Sequence, residues 1–327
     1  MIEGSLIARP LTEEEVRLVA ERHFPGMKRL GFTALKGGLF NNTVRIDFAD
    51  APPVILRAGP VRPELLLPYE LHLMDAEAEV DRLCEEAGIP CSHVLAADSS
   101  KTLLDRDYML VACIDSLPLC DPAVPPEAKP GLYRETGRLM ARFHQIEGRS
   151  FGRVYDVTNG NGSGSWAEAL IGELADISGM LLEASLMERG VLDGVRALLE
   201  ENRALLECGK PRLAHTDLWE GNILVRQTGD HWEVAAIIDG DRAYFGDPDY
   251  DFSTPWMITP DFLAGYGKAP EDSPARQKKL RIYRLLLGLA EAYIWEKEYN
   301  NHQAYLEKKA EVETALREIP QMEGAKE

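Results

Sequence analysis

Three residues in the second half of the chain have the types and spacing that moving a phosphoryl group requires. The stretch His215-Thr216-Asp217-Leu218-Trp219-Glu220-Gly221-Asn222 reads H-x-D-x-x-x-x-N and runs into the apolar strand Ile223-Leu224-Val225. Phosphoryl transfer needs a carboxylate to orient the attacking hydroxyl and accept its proton, and an amide oxygen nearby for a metal ion. Asp217 and Asn222, on one loop, supply both. Further along, Ala235-Ala236-Ile237-Ile238-Asp239 reads as a buried strand that delivers Asp239 at its end. A carboxylate there binds Mg²⁺ bridging nucleotide phosphates. Each stretch alone is weak evidence; in this order and at this spacing they reinforce each other.

Elements on both sides must hold these residues in place. Residues 11–24 read as an amphipathic helix with Thr12 as N-cap and Glu15 completing a capping box. Three strand-like pieces follow (31–38, 41–50 and 53–60). The first two are joined by Gly37-Gly38-Leu39-Phe40-Asn41-Asn42, a turn rich in residues that tolerate positive φ. Residues 70–88 read as a helix ended by Gly88. Its apolar stripe, Leu73, Val80 and Cys84, also carries Glu77, and a buried glutamate requires a partner. Strands are expected at 93–97 and 107–114, and a proline-rich linker at 115–131. Beyond it helices are expected at 130–147, 165–187, 191–206, 276–299 and 301–318, with a flexible surface loop at 158–165. This divides the chain into a β-rich lobe, 1–112, and a helical lobe, 113–327. The stripe Leu280, Tyr283, Leu287, Ala290 and Ile294 reads as core packing.

Composition narrows the classes of partner. The 327 residues are 45% hydrophobic and 28% charged, a balance that supports a packed core. A net charge of −18, spread evenly along the chain, repels phosphate backbones and anionic lipid, so neither nucleic acid nor a membrane surface is expected. No apolar run approaches membrane-spanning length and no signal peptide is evident. The five cysteines form no C-x-x-C pair and read as reduced thiols, so a cytoplasmic location is expected.

HTDLWEGNILV followed by IIDGDRAYFGDPDYD resembles the aminoglycoside phosphotransferase and choline kinase family, a branch of the protein-kinase-like fold. The resemblance extends from about residue 30 to the late helices, and hygromycin-type enzymes share the arginine-bearing strand. It implies a bilobal α+β fold, with a small antiparallel lobe and a larger helical lobe, that uses ATP or GTP with Mg²⁺. Carried over residue by residue, Asp217 is the catalytic base, Asn222 and Asp239 are metal ligands, and Arg57 contacts the α/β-phosphates and pairs with Glu77. Gly37, Gly38 and Asn42 belong to the nucleotide loop, and the backbone of Ala112, Cys113 and Ile114 to the hinge that holds adenine. Two departures stand out: arginine where many relatives have lysine, and Gly240 where many have tryptophan, which is expected to open space beside the metal.

The expected acceptor is the hydroxyl of a small, cationic molecule, an aminoglycoside or aminocyclitol first. A metabolic acceptor (choline, homoserine, a sugar or a glycated amine) is the alternative, and a non-catalytic nucleotide-binding regulator is the rival of a different class. A protein kinase is disfavoured because no A-P-E segment follows Asp239. Acids expected near a cationic acceptor are Glu168, Glu173, Asp261, Glu271, Asp272, Glu291 and Glu296. His215, Asp247 and Asp251 are expected to brace the catalytic loop, and Asp241 to be a second metal contact or a solvated acid. The sequence leaves monomer or dimer open.

Overall fold

The computed structural model describes residues 5–35, 39–254, 256–267 and 271–322. The chain begins with α1 (Glu13–His23), β1 (Arg29–Ala34), β2 (Asn42–Phe48), β3 (Val54–Ala58), α2 (Leu73–Glu86), β4 (Val94–Asp98) and β5 (Tyr108–Ala112). The capping box of α1 is formed: Thr12 Oγ1 accepts from the Glu15 amide at 3.2 Å and Glu15 Oε2 accepts from the Thr12 amide at 2.8 Å. The five strands make one antiparallel sheet in the order β1-β2-β3-β5-β4. Period-two burial along β2 turns Val44, Ile46 and Phe48 inward against Val16 and Val19 of α1.

The helix expected from residue 70 opens as a tighter 3₁₀ turn, Pro68–His72, with proline at its start. It ends as expected: Gly88 takes φ +64°, and the Ile89 amide reaches back to the Cys84 carbonyl at 2.8 Å. The face of α2 turned to the protein carries Leu73, Val80 and Cys84, and with them the acids Glu77 and Asp81.

The second half comprises β6 (Leu117–Pro118), α3 (Lys129–Phe143), β7 (Gly152–Arg153), α4 (Val154–Thr158), α5 (Trp166–Glu183), α6 (Arg189–Glu201), α7 (Arg203–Leu206) and β8 (Arg212–Ala214). It continues with β9 (Ile223–Thr228), β10 (His231–Ile237), β11 (Tyr244–Gly246), α8 (Pro260–Tyr266), α9 (Pro274–Lys297) and α10 (His302–Glu318). Two small antiparallel sheets, β10-β9-β6 and β7-β11-β8, lie among these helices. The 115–131 segment is therefore more than a linker, because Leu117 and Pro118 pair with Val225 and Leu224. The 158–165 loop is likewise tied back, by an antiparallel bridge between Phe151 and Ser163. Trp166, Tyr283, Leu289 and Tyr293 centre the main helical core, and Phe143, Ile223, Ile237 and Phe262 a second one beneath α2. The architecture is the expected α+β, protein-kinase-like one, a small antiparallel sheet with a larger helical portion. No helix among the described residues is long and apolar enough to cross a membrane, and all five cysteines are free thiols.

Candidate active site

Asp217 sits on a loop whose backbone is fixed from beneath by one buried carboxylate. Asp251 accepts the His215 amide at 2.9 Å and the Thr216 amide at 2.5 Å, and His144 Nε2 lies 2.9 Å from it. Burial acts to raise the Asp251 carboxyl, but the hydrogen bond and charge of His144, with His215, hold it below the usual carboxylate range. Tyr266 backs His144 with its hydroxyl at 2.7 Å. His215 Nε2 meets the Ile238 carbonyl at 3.0 Å while its Nδ1 accepts the Asp217 amide at 3.3 Å. His215 and Asp251 thus brace the loop. Asp247 does not: it caps the following turn and takes Lys279 Nζ at 2.7 Å and the Tyr283 hydroxyl at 2.8 Å, anchoring α9.

These bonds hold Thr216 at φ +69°, a strained conformation for a β-branched residue. Its hydroxyl donates to the Arg242 carbonyl at 2.9 Å. Asn222 follows on the 3₁₀ turn Glu220–Asn222; its Nδ2 donates to the Asp217 carbonyl at 2.8 Å and to the Asp217 carboxylate at 3.3 Å. That leaves its amide oxygen open. Desolvation lifts the Asp217 carboxyl above the usual range, opposed by Arg242 and His215.

Asp239 emerges from the end of β10 in the left-handed region, at φ +61°. Backbone pairing of the Ile238 amide with the Asn222 carbonyl, at 3.0 Å, brings this end beside the Asp217 loop. Arg57, on β3 between Thr43 and Met109 in register, donates to both Glu77 and Asp239. Glu77 is 1% exposed and its second oxygen has no partner. Burial, together with Asp239 and Asp81, outweighs Arg57 and pushes the Glu77 carboxyl up to about 8. Asp241 is buried rather than solvated and completes the group. One oxygen each from Glu77, Asp239 and Asp241 lie within 4.8 Å of one another. Three carboxylates against one guanidinium, with an orphaned oxygen among them, is a hard-oxygen set short of positive charge. Mg²⁺ fits it.

Gly240 does not open space beside this cluster. A Cβ there would lie 2.6 Å from Val80 Cγ1, so the missing side chain is what lets α2 pack against the loop.

The nucleotide-side residues are placed unevenly. Asn42 starts β2, buried, with no partner for its Nδ2. Gly37 and Gly38 lie outside the described residues. At the end of β5 the Ala112 amide donates to His93 at 2.9 Å and the Cys113 amide to Pro53 at 3.4 Å. Only the Ile114 amide, of these three, has no protein acceptor among the described residues.

A cleft of about 510 Å³ opens beside Asp217, walled by Tyr69, Tyr244, Tyr250, Trp256, Leu286, Leu287 and Ala290. Two positions of the stripe read as core, Leu287 and Ala290, therefore form a cleft wall. Of the seven candidate acids only Glu173 and Glu291 line it. Glu173 pairs with Arg153 at 2.7 Å, and Glu291 with Arg284 at 3.4 Å and Lys308 at 3.2 Å. Asp261 pairs with Arg134, Asp272 accepts from Gln277 and Glu296 lies 3.0 Å from His302, all away from the cleft. Sequence reasoning missed Arg153 and Arg242, which also line it, because no local pattern marks a residue by what it faces.

Comparison with known proteins places the chain in a family. The model of the phosphotransferase enzyme family matches residues 31–280. The chain belongs to that family, whose members are small-molecule kinases. Its fold is shared by a thermostable mutant of aminoglycoside phosphotransferase APH(4)-Ia in ternary complex with AMP-PNP and hygromycin B. The two are 17% identical over 94% of this chain and 98% of that one, with a TM-score of 0.64. A candidate fructosamine-3-kinase of Thermobifida fusca YX-ER1 matches at 17% identity over 94% and 99%, TM-score 0.63. The GDP and kanamycin complex of APH(2")-IIIa matches at 14% identity over 94% and 99%, TM-score 0.61. No curated protein matches the sequence.

Proposed function

We propose that the chain is a Mg²⁺-dependent O-phosphotransferase that uses ATP or GTP to phosphorylate a hydroxyl of a small molecule. The observation that carries this is the position of Asp217, an accessible carboxylate between a cation-deficient acid cluster and a solvent-open cleft. In this reading residues 1–112 form the nucleotide lobe and 113–327 the acceptor lobe. Asn42, with Gly37 and Gly38, belongs to the phosphate loop, and the backbone of Ala112, Cys113 and Ile114 receives the base. Arg57, locked by Glu77, approaches the α/β-phosphates. Asp239 and Asn222 hold Mg²⁺, with Asp241 beside them; bound there, the ion offsets charge on the phosphates. Asp217 orients the acceptor hydroxyl and accepts its proton as that oxygen bonds to the γ-phosphorus. The bond from phosphorus to the β–γ bridging oxygen breaks, and the nucleoside diphosphate leaves with the electron pair. The raised Asp217 carboxyl suits a proton acceptor better than an ordinary surface aspartate would. Five free thiols support a reducing, cytoplasmic setting.

For the acceptor, the aminoglycoside or aminocyclitol reading is supported by the fold shared with proteins that bind hygromycin B and kanamycin. A metabolic acceptor is supported by the cleft itself, where Glu173 and Glu291, the two acids besides Asp217, are both paired with cations of the protein. The geometry favours the second. The test is ADP or GDP release, with both nucleotides, against aminoglycosides, choline, homoserine, amino sugars and hydroxy acids. Acceptor-stimulated, Mg²⁺-dependent release that disappears in Asp217→Asn is the expected result. Release unaffected by that substitution would contradict the assignment.

A further inference from the structure

The acceptor cleft contains aromatic rings, but their faces are already taken. The Arg153 guanidinium lies 3.9 Å from the ring centroids of both Tyr69 and Tyr244, filling the slot between them. Its Nε and Nη2 donate to Glu173 at 2.8 and 2.7 Å, and Nη1 to the Arg242 carbonyl. Tyr250 is stacked on Tyr283 at 5.0 Å, and Arg284 lies 5.9 Å from the Trp256 ring centroid. Over Tyr69, Tyr244 and Trp256, and against Glu173 and Glu291, the positions an ammonium ion would seek are thus held by the protein's own cations.

Arg242 is different. Its Nη2 donates to buried Glu70 at 2.8 Å, and Glu70 is fixed in turn by the Leu67 amide at 3.0 Å. Glu298 lies buried against Glu70, and burial together with the Glu70 charge pushes its carboxyl up, so the ion pair formed by Arg242 is the one with Glu70. The other guanidinium N–H groups of Arg242 have no acceptor among the described residues, and the side chain, 21% exposed, lines the cleft that holds Asp217. A rigidly anchored guanidinium with open donors is matched by a two-oxygen anion.

Resting on the phosphotransferase reading, we infer that the acceptor is an anionic hydroxy compound. Its carboxylate or phosphate is bound by Arg242 while its hydroxyl meets Asp217, and its carbon body lies against Tyr250, Trp256 and Leu286. A neutral isostere leaves the open N–H groups unpaired, so discrimination against it is built in.

The experiment compares the wild-type enzyme on hydroxy acids, the corresponding hydroxy amides, sugar phosphates and the parent sugars, read as acceptor-stimulated nucleoside diphosphate release. The expected result is turnover of an acid or phosphate at a kcat/KM about 10–100-fold above that of its neutral counterpart, the range for a charged hydrogen bond. The acid and phosphate arms identify which anion is bound. Arg242→Gln should collapse that ratio toward one and Arg242→Lys should restore part of it, a pattern that loss of structure does not produce. Stimulation by cationic or neutral acceptors alone, or no stimulation by any anionic one, overturns the inference. So does an Arg242→Gln effect confined to the KM for nucleotide. Acceptor-independent nucleotide hydrolysis, measured with and without Mg²⁺ in wild type and Asp239→Ala, reports separately on the phosphotransferase reading: its absence would remove that reading too.

Discussion

The segment Asp239–Arg242 has two sides, and they are charged in opposite ways. On the α2 side Asp239 and Asp241 face Glu77 and Asp81, with Arg57 as the counter-charge. On the cleft side Arg242 and Arg153 lie among tyrosines, each tied to one glutamate. Burial without enough counter-charge raises the carboxyls of the first side, Glu77 and Asp81 both to about 8. On the second side Glu70, Glu173 and Glu291 are each paired with a cation. The difference agrees with the proposed division of labour: a buried carboxylate excess would be offset by a metal ion, and a buttressed arginine with open donors by an anion.

The largest expected effect lies at the boundary between the two. Asp217→Asn should lower kcat by roughly 10²–10⁴-fold, the range for loss of a general base. Nucleotide affinity should be unchanged, because Asp217 belongs to neither charged cluster; steady-state kinetics with nucleotide titration checks both. Next, Asp251→Ala removes the brace on which both sides depend. It strands two backbone amides and His144, and should cost about 3–5 kcal/mol in chemical denaturation. An effect below 1 kcal/mol would mean that the loop is held by something else.

A smaller effect follows from the sign of the Asp251 shift. Its folded carboxyl lies below the usual aspartate value, so its contribution is complete above that value and is lost as the pH falls through the lower folded one. The stability gap between wild type and Asp251→Asn should therefore be constant from about pH 5 to 8 and shrink below about pH 4. A gap that narrows instead on the alkaline side would reverse the assignment. Smallest, Trp256→Ala removes a half-exposed wall of the cleft and nothing of the acid cluster. It should raise the acceptor KM about fivefold, equivalent to about 1 kcal/mol of lost apolar contact, while leaving the nucleotide KM unchanged.

What the sequence reveals follows the range of the forces involved. The Thr12–Glu15 capping box, the Gly88 helix stop and the alternation along β2 are local, and they read directly. Pairs such as Leu117-Pro118 with β9 exist only because the rest of the chain brings them together, so they read as linker. The helix Pro260–Tyr266 is short and flanked by irregular backbone, which hides its period. Asp247 and Asp251 look alike in GDPDYD, yet one anchors α9 and the other the Asp217 loop. Asp217, Asn222 and Asp239 stand out in the sequence because the proposed chemistry fixes their types at short spacing, and the structure sets their loops side by side. The cleft does not, since its walls come from Tyr69, Arg153, Glu173, Arg242, Tyr244, Tyr250, Trp256 and the 286–291 stretch of α9, which no local pattern connects. Gly240 is the instructive case: its meaning lies in Val80, far away in the chain.

The most direct measurement is a calorimetric titration of a non-hydrolysable nucleotide into wild type and Asp239→Ala, with and without Mg²⁺. If the acid cluster is the metal side of a phosphotransferase, Mg²⁺ tightens nucleotide binding in wild type, and Asp239→Ala abolishes that dependence. Equal tightening by Mg²⁺ in a folded Asp239→Ala protein would contradict it.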